Sequence, residues 1–172
     1  RASHSHDTTR SLYLQGQIGL GEHVQVIAGV RRDWFRIAST NTITGFSARR
    51  SDSKWSPRLG VVVKPQENLS FYASYALSFL PQSGDQFTVL DAVTATLAPE
   101  KFRNLELGAK WDLTPDLGLS AAVYRLDRSN TRSTAPGSGQ PVLTGRSRTE
   151  GFEVSLAGRL TRQWQASLGY AN

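Results

Sequence analysis

Apolar residues recur at every second position through long stretches of this chain. From Leu69 to Phe79 the odd positions are Leu69, Phe71, Ala73, Tyr75, Leu77 and Phe79, and the even ones are Ser70, Tyr72, Ser74, Ala76 and Ser78. A period of two places these sets on opposite faces of a β-strand, one apolar and one mostly polar. The pattern returns along the chain. Leu12, Leu14, Ile18 and Leu20 oppose Tyr13, Gln15 and Gln17. Val24, Val26, Ala28 and Val30 oppose Gln25, Gly29, Arg31 and Asp33 in a strand that runs toward Ile37. Leu105, Leu107, Ala109, Trp111 and Leu113 oppose Asn104, Glu106, Gly108, Lys110 and Asp112, the clearest alternation of all. Phe152, Val154 and Leu156 oppose Thr149, Gly151, Glu153, Ser155 and Ala157, and Trp164, Ala166, Leu168 and Tyr170 open a last strand. Over 117–128 the faces blur at Ala121-Ala122-Val123-Tyr124, although the stretch still reads as a strand. With the arm that descends from Trp55, the count is about eight strands.

Turn signals pair these strands into hairpins. Gly21-Glu22, Pro65 to Asn68, Thr114-Pro115-Asp116 and Thr161-Arg162-Gln163 are short reversals. Pro65 presets φ, and Asn68 suits a position of positive φ. These turns recur every 45–49 residues, and the connections at the other end are long: 39–53, the stretch from Pro81 to about Arg103, and 129–145. Short turns at one end and long loops at the other characterise outer-membrane barrels. Propellers share the period but fit four shorter strands into each repeat. The strand from Leu69 to Phe79 has 11 residues, about 33–36 Å of chain. Tilted by roughly 45°, it covers about 25 Å, the height of a barrel's lipid-facing band. The predicted fold class is all-β, an antiparallel transmembrane β-barrel segment of about eight long strands.

Composition narrows the chemistry. Cysteine is absent, which removes disulfides and thiolate metal sites. Twenty basic residues against fourteen acidic ones give a net charge of +6, which favours an anionic partner. No nucleic acid is expected among the partners. No apolar run is long enough for a transmembrane helix. The opening RASHSHDTTR lacks the apolar core of a signal peptide, so the first residues of an exported protein are expected to be missing from it.

Several segments resemble the barrel of TonB-dependent siderophore receptors of the ferrichrome and ferric-pyoverdine type. They are SLYLQGQIGL (11–20), VIAGVRRDWF (26–35), WSPRLGVVVKPQENLSFYASYALSFLP (55–81), LAPEKFRNLELGAKWDL (97–113), LSAAVYRLDRSN (119–130) and RSRTEGFEVSLAGRL (146–160). The most specific parts are the SPR-to-FLP hairpin, the PE before NLELGAKWDL, and RSR-x-x-G-x-E. The resemblance implies an arc of a 22-stranded barrel whose lumen is plugged by an N-terminal domain. On that expectation, residues 1–172 are part of the C-terminal barrel domain, and the plug and the TonB-contacting segment lie outside the chain. The implied function is outer-membrane uptake of a ferric siderophore, energised through TonB, with this arc inactive by itself. Iron would travel as a chelate, with no protein-bound cofactor or metal. A passive porin is the nearest alternative, and a barrel hydrolase a remote one.

Candidate site residues follow from where charge and aromatic rings sit. Basic residues gather at the predicted extracellular end, at 31–54 and 125–150. Arg31, Arg36, Arg49, Arg50, Arg132, Arg146 and Arg148 are the candidates for recruiting an anionic ferric chelate by long-range attraction. The competing role for such arginines is contact with outer-membrane lipid and the phosphates of lipopolysaccharide. Inward-pointing Arg31 and Asp33 favour recruitment; Arg32, and Arg125 if it points outward, favour lipid. Trp34, Phe79, Trp111, Trp164 and Tyr170 are candidates for the aromatic belts at the membrane interfaces. Catalysis finds no footing. The Ser51-Asp52-Ser53-Lys54 stretch matches a Ser-x-x-Lys pattern but lacks its partner motifs. The three histidines are His4 and His6 in the opening segment and His23 at a turn. Asn68-Leu69-Ser70 is a glycosylation sequon in letters only, and Gly137-Ser138-Gly139 precedes neither a helix nor a lysine.

Overall fold

The computed structural model describes residues 3–80, 98–134, 141–143 and 145–172. Its strands are β1 (Ser3–Leu20), β2 (Val24–Asn41), β3 (Ser47–Gln66), β4 (Leu69–Leu80), β5 (Glu100–Thr114), β6 (Leu117–Ser129), β7 (Arg132–Thr134), β8 (Pro141–Leu143), β9 (Arg146–Arg159) and β10 (Gln165–Ala171). Eight of them form one antiparallel sheet in the order β1-β2-β3-β4-β5-β6-β9-β10, and β7 and β8 make a separate small hairpin. Every neighbour in the large sheet is a neighbour in sequence once that hairpin is set aside, the meander of an up-and-down barrel wall.

The register carries the alternation across all strands at once. Ile18, Val26, Val61, Ala73, Leu107, Val123 and Phe152 form one unbroken cross-strand row. One step along each strand, Gln17, Ile27, Gly60, Ser74, Glu106, Tyr124 and Gly151 form the matching row on the other face. Large side chains stand bare on the first face, as Leu107 does at 59% exposure and Leu168 at 64%. The buried strand residues Asp33, Ile37, Ser39, Glu100 and Ala122 all lie on the second. Crowding on the polar face and exposure on the apolar face suit a wall whose concave side is the lumen and whose convex side meets lipid.

The edges of the apolar band reveal the strand tilt. On the outward face of β1 the first charge above the band is Arg10, which pairs with Trp34. On β6 it is Arg125, which pairs with Leu105, and on β9 it is Glu150, in the same row. That boundary falls by three two-residue rows over the six strand steps from β1 to β9. The lower boundary falls equally, from Leu20 on β1 to Leu160 below β9. With about 3.4 Å per residue and 4.8 Å between strands, three rows over six steps is a tilt of about 35°. Leu12 to Leu20 then rises roughly 22–25 Å, the height of a barrel's apolar band.

The strands are longer than the hydrophobic pattern alone indicates. The region 39–53, expected as a connection, is strand to Asn41, a turn over 42–44, and strand again from Ser47. Likewise 129–145 contains the β7–β8 pair, and β5 begins at Glu100 rather than near Arg103. At the foot of the β3–β4 hairpin, β3 continues through Pro65 to Gln66 with a register shift between Val63 and Gln66. Asn68 does not supply a positive φ: among the described non-glycine residues that belongs to Asn130, at φ 60. Asn68 instead donates its side-chain amide to the Asp112 carbonyl at 3.2 Å, fastening one turn to the next. The first two hairpins are fastened similarly, the Lys64 amide donating to the His23 carbonyl at 2.7 Å.

Candidate functional site

On the lumenal face of β1–β3 the alternation stacks polar groups into a cationic wall. Arg31 and Asp33 are two residues apart on one strand and so share a face. The Arg31 Nε donates to Asp33 Oδ1 at 2.7 Å, and the Ser11 hydroxyl donates to the same oxygen at 2.5 Å. Arg31 Nη2 donates in turn to Ser11 Oγ at 3.0 Å, which closes the triangle. Asp33 is 7% exposed, and both neighbours donate to its buried carboxylate. Arg50 and Asp52 repeat the motif one strand over, at 2.5 Å. Arg58, also lumenal, lies flat across Gly29, where a Cβ would press on its guanidinium and stem. Among the described residues Arg58 has no carboxylate partner. Tyr13, Gln15, Arg31, Ser56 and Arg58 line a hollow of about 360 Å³ on this wall. It offers an anionic or oxygen-rich guest several donors that are already oriented.

Farther along the lumen, tyrosines cover glycines. The Tyr72 ring occupies the space a Cβ at Gly108 would fill, and Tyr124 does the same over Gly151. Tyr72 also donates to Glu106 Oε1 at 2.6 Å. The glycines let the rings lie flat on the neighbouring strand, which stiffens the wall.

The register divides the arginines expected to recruit a ligand. Arg31 and Arg50 face the lumen. Arg36, Arg49, Arg146 and Arg148 face outward, in rows above the apolar band. Arg132 sits in β7, and its side chain lies outside those described. Arg32 and Arg125 point outward. On β5, β6 and β9 the outward charges form a chain. Arg148 contacts Asp127 at 2.7 Å and Glu150 at 4.0 Å, Arg103 contacts Asp127 at 3.0 Å, and Arg125 contacts Glu150 at 2.6 Å. This chain depends on cross-strand register, so spacing along the sequence could not reveal it.

The aromatic candidates all stand on the outward face, at three depths. Trp34 and Phe79 lie just above the apolar band, Trp111 and Trp164 near its lower edge, and Tyr170 near its upper edge against Phe152 at 5.7 Å. Trp55, which the sequence reading passed over, joins Trp34 in sandwiching the Arg32 guanidinium at 4.9 Å from each ring. Ser51 and Lys54 lie on opposite faces of β3 and make no nucleophile pair. Gly137-Ser138-Gly139 and Pro81 lie outside the described residues. Among the described residues no three His, Asp or Glu side chains are placed to hold a metal ion.

Comparison with known proteins agrees with this geometry. The whole chain, residues 1–172, matches the family described as TonB dependent receptor-like, beta-barrel. The chain belongs to that family. It is 31% identical over 170 residues to the "Probable TonB-dependent siderophore receptor PiuA" of Acinetobacter baumannii, covering 93% of this chain and 23% of that protein. It is 30% identical over 141 residues to the "Catecholate siderophore receptor Fiu" of Escherichia coli, covering 78% of this chain and 18% of that protein. The crystal structure of PiuA superposes with a TM-score of 0.89 at 29% identity, over 97% of this chain and 25% of that one. The chain thus spans about a quarter of the length of the first relatives it matches. It is an arc of a TonB-dependent receptor barrel, and its place is the outer membrane of a Gram-negative cell.

Proposed function

We propose that the receptor to which this arc belongs takes up ferric siderophores across the outer membrane, with energy delivered through TonB. Family membership supports receptor-mediated uptake, and the names of PiuA and Fiu support a siderophore as its cargo. The observation in this chain that carries the reading is the lumenal hollow with Arg31 and Arg58 on its wall. Fiu, named for catecholate siderophores, favours a catecholate chelate over the ferrichrome or ferric-pyoverdine type. Such chelates are anionic and present oxygens to guanidinium donors. The receptor binds and transports without chemical conversion of its cargo, and iron passes as the chelate.

The test is growth of an iron-starved strain lacking its own receptors and carrying the full-length gene, supplied with ferric catecholates or ferric hydroxamates. Growth on catecholates that disappears when TonB is deleted is the expected result. Growth that persists without TonB would support a passive porin instead. Growth on hydroxamates alone would overturn the catecholate assignment. In the same receptor, Arg58→Gln should slow chelate association about three- to tenfold at low salt and much less at high salt, the signature of electrostatic attraction.

A further inference from the structure

The opening segment is strand from Ser3 onward, and this fixes the placement of its two histidines. β1 runs in unbroken register against β2, from Ser3 opposite Asn41 to Leu20 opposite Val24. His4 and His6 are two residues apart on that strand, so both side chains leave the same face. It is the outward face, continuous with Thr8, Arg10 and Leu12. Their Cα atoms stand about 7 Å apart along the strand. Two imidazoles at that separation can lean together onto one ion, with nitrogen–metal bonds of about 2.0–2.1 Å.

The surroundings leave the pair open to such an ion. Both histidines are exposed, and among the described residues neither makes a hydrogen bond or an ion pair. Asp7 between them turns to the lumenal face, where the Ser5 hydroxyl donates to it at 3.3 Å. Across the strand pair His4 faces Thr40 and His6 faces Ala38, both short side chains that leave the rings room to turn. The Thr40 hydroxyl is already bonded to Ser47 at 3.0 Å. His6 and His4 stand three and four rows above Leu12, the last apolar residue of the band on this strand. At a tilt near 35° those rows lie about 17 and 22 Å outward. The headgroup layer is only about 5–8 Å thick on each side. The pair therefore stands in water, where hydrated cations reach it.

Ligand chemistry decides which cation fits. No Asp or Glu stands on the outward face of β1–β3, and Arg36 and Arg49 are the nearest charges on that face. Calcium and magnesium require carboxylate or carbonyl oxygens and find none offered here. Imidazole nitrogen suits zinc, nickel and copper, and among these copper(II) binds most tightly. We propose that His4 and His6 form a two-histidine chelate for a divalent transition cation, copper(II) or zinc, with water completing the coordination. The site lies outside the lumen and does not depend on which chelate the receptor carries.

The test is equilibrium dialysis of the full-length receptor in detergent against copper(II) and, separately, zinc. Wild type should bind one ion more than His4→Asn/His6→Asn does, and electron paramagnetic resonance of that extra copper should show two nitrogen ligands. Either single change, His4→Asn or His6→Asn, should weaken this ion at least tenfold, because one imidazole cannot chelate. His6→Thr/Thr8→His keeps two histidines on the face but sets them four residues apart, about 14 Å, and should lose binding equally. His23→Asn, at the turn at the other end of β1, should leave the ion in place. Retained resistance to SDS at room temperature confirms folding of each variant. Equal metal counts in wild type and the double variant overturn the proposal. So does a loss confined to one single variant, or displacement of the ion by millimolar calcium. Full binding by His6→Thr/Thr8→His would also overturn it, because only a flexible tail could bring histidines at that spacing together.

Discussion

At the scale of single residues, the same side chain has opposite consequences on the two faces. Leu107 stands on the lipid side near the middle of the apolar band, 59% exposed in the bare wall, and Glu106 beside it accepts the Tyr72 hydroxyl in the lumen. Leu107→Arg should therefore cost about 2–4 kcal/mol when the full-length receptor is refolded into lipid, the usual penalty for a cation near the bilayer midplane. Glu106→Gln keeps an acceptor for Tyr72 and should cost less than about 1 kcal/mol. Equal losses in a lipid-refolding titration would reverse the assignment of faces. The tyrosine-over-glycine pair makes a second, sharper demand. At Gly108 a new Cβ runs into the Tyr72 ring, so Gly108→Ala must push the ring aside and strain its bond to Glu106. The cost should be about 1–3 kcal/mol, as for other overpacked sites. In a Tyr72→Ala background the same change should be nearly neutral, and the double-mutant cycle should show coupling of about 1 kcal/mol or more. Additive losses would mean that the ring does not rest on the glycine.

At the scale of elements, the register makes each strand two surfaces that cannot be exchanged. One alanine inserted between Ala73 and Ser74 in β4 would turn Ser74, Ala76 and Ser78 toward lipid and Leu77 and Phe79 toward the lumen. The full-length receptor carrying that insertion should lose the SDS-resistant folded band. The same insertion in the turn over 42–44, outside the strands, should be tolerated. Survival of the β4 insertion would show that the register of this hairpin slips freely. The same physics explains what the sequence revealed. Where lipid meets one face, as along Leu105 to Leu113, apolar and polar residues must alternate, so strand, length and face could all be read directly. Above the band both faces meet water or headgroups. Arg49 with Arg50, Ser51 with Asp52 and Ser53 with Lys54 are polar on each side, so the upper half of β3 looked like a loop. Arg31 with Asp33 could be read as a lumenal pair because residues two apart share a face. Whether Arg36, Arg49, Arg146 and Arg148 faced ligand or lipid depended on carrying the alternation through those polar stretches. The Arg103–Asp127–Arg148 chain needed the cross-strand register itself.

At the scale of the whole molecule, the arc leaves two demands unmet. The first is backbone pairing: β1 and β10 are the edges of the sheet, each presenting a row of unpaired N–H and C=O groups. Closing β1 onto β10 would not satisfy them, because β1 has 18 residues and β10 has 7, so more than half of β1 would stay open. The second is the outward face. Leu12 at 70%, Leu14 at 74%, Ile18 at 63% and Leu168 at 64% exposure belong to one continuous apolar surface rather than to scattered positions. A surface of that kind, larger than a few hundred Å², drives association in water. The two demands act together, since an open edge recruits a second copy and the apolar face gives the pair something to bury. The isolated 172-residue polypeptide should therefore sediment as heterogeneous aggregates in buffer, and become small and uniform only when detergent covers the outward face. Far-UV circular dichroism should show β-structure in both states, because the hairpins between neighbouring strands are local. Analytical ultracentrifugation with and without detergent decides the matter. A monodisperse monomer without detergent, unfolding cooperatively in urea, would mean that the exposed leucines have found a protein core, and the outward face would no longer belong to lipid.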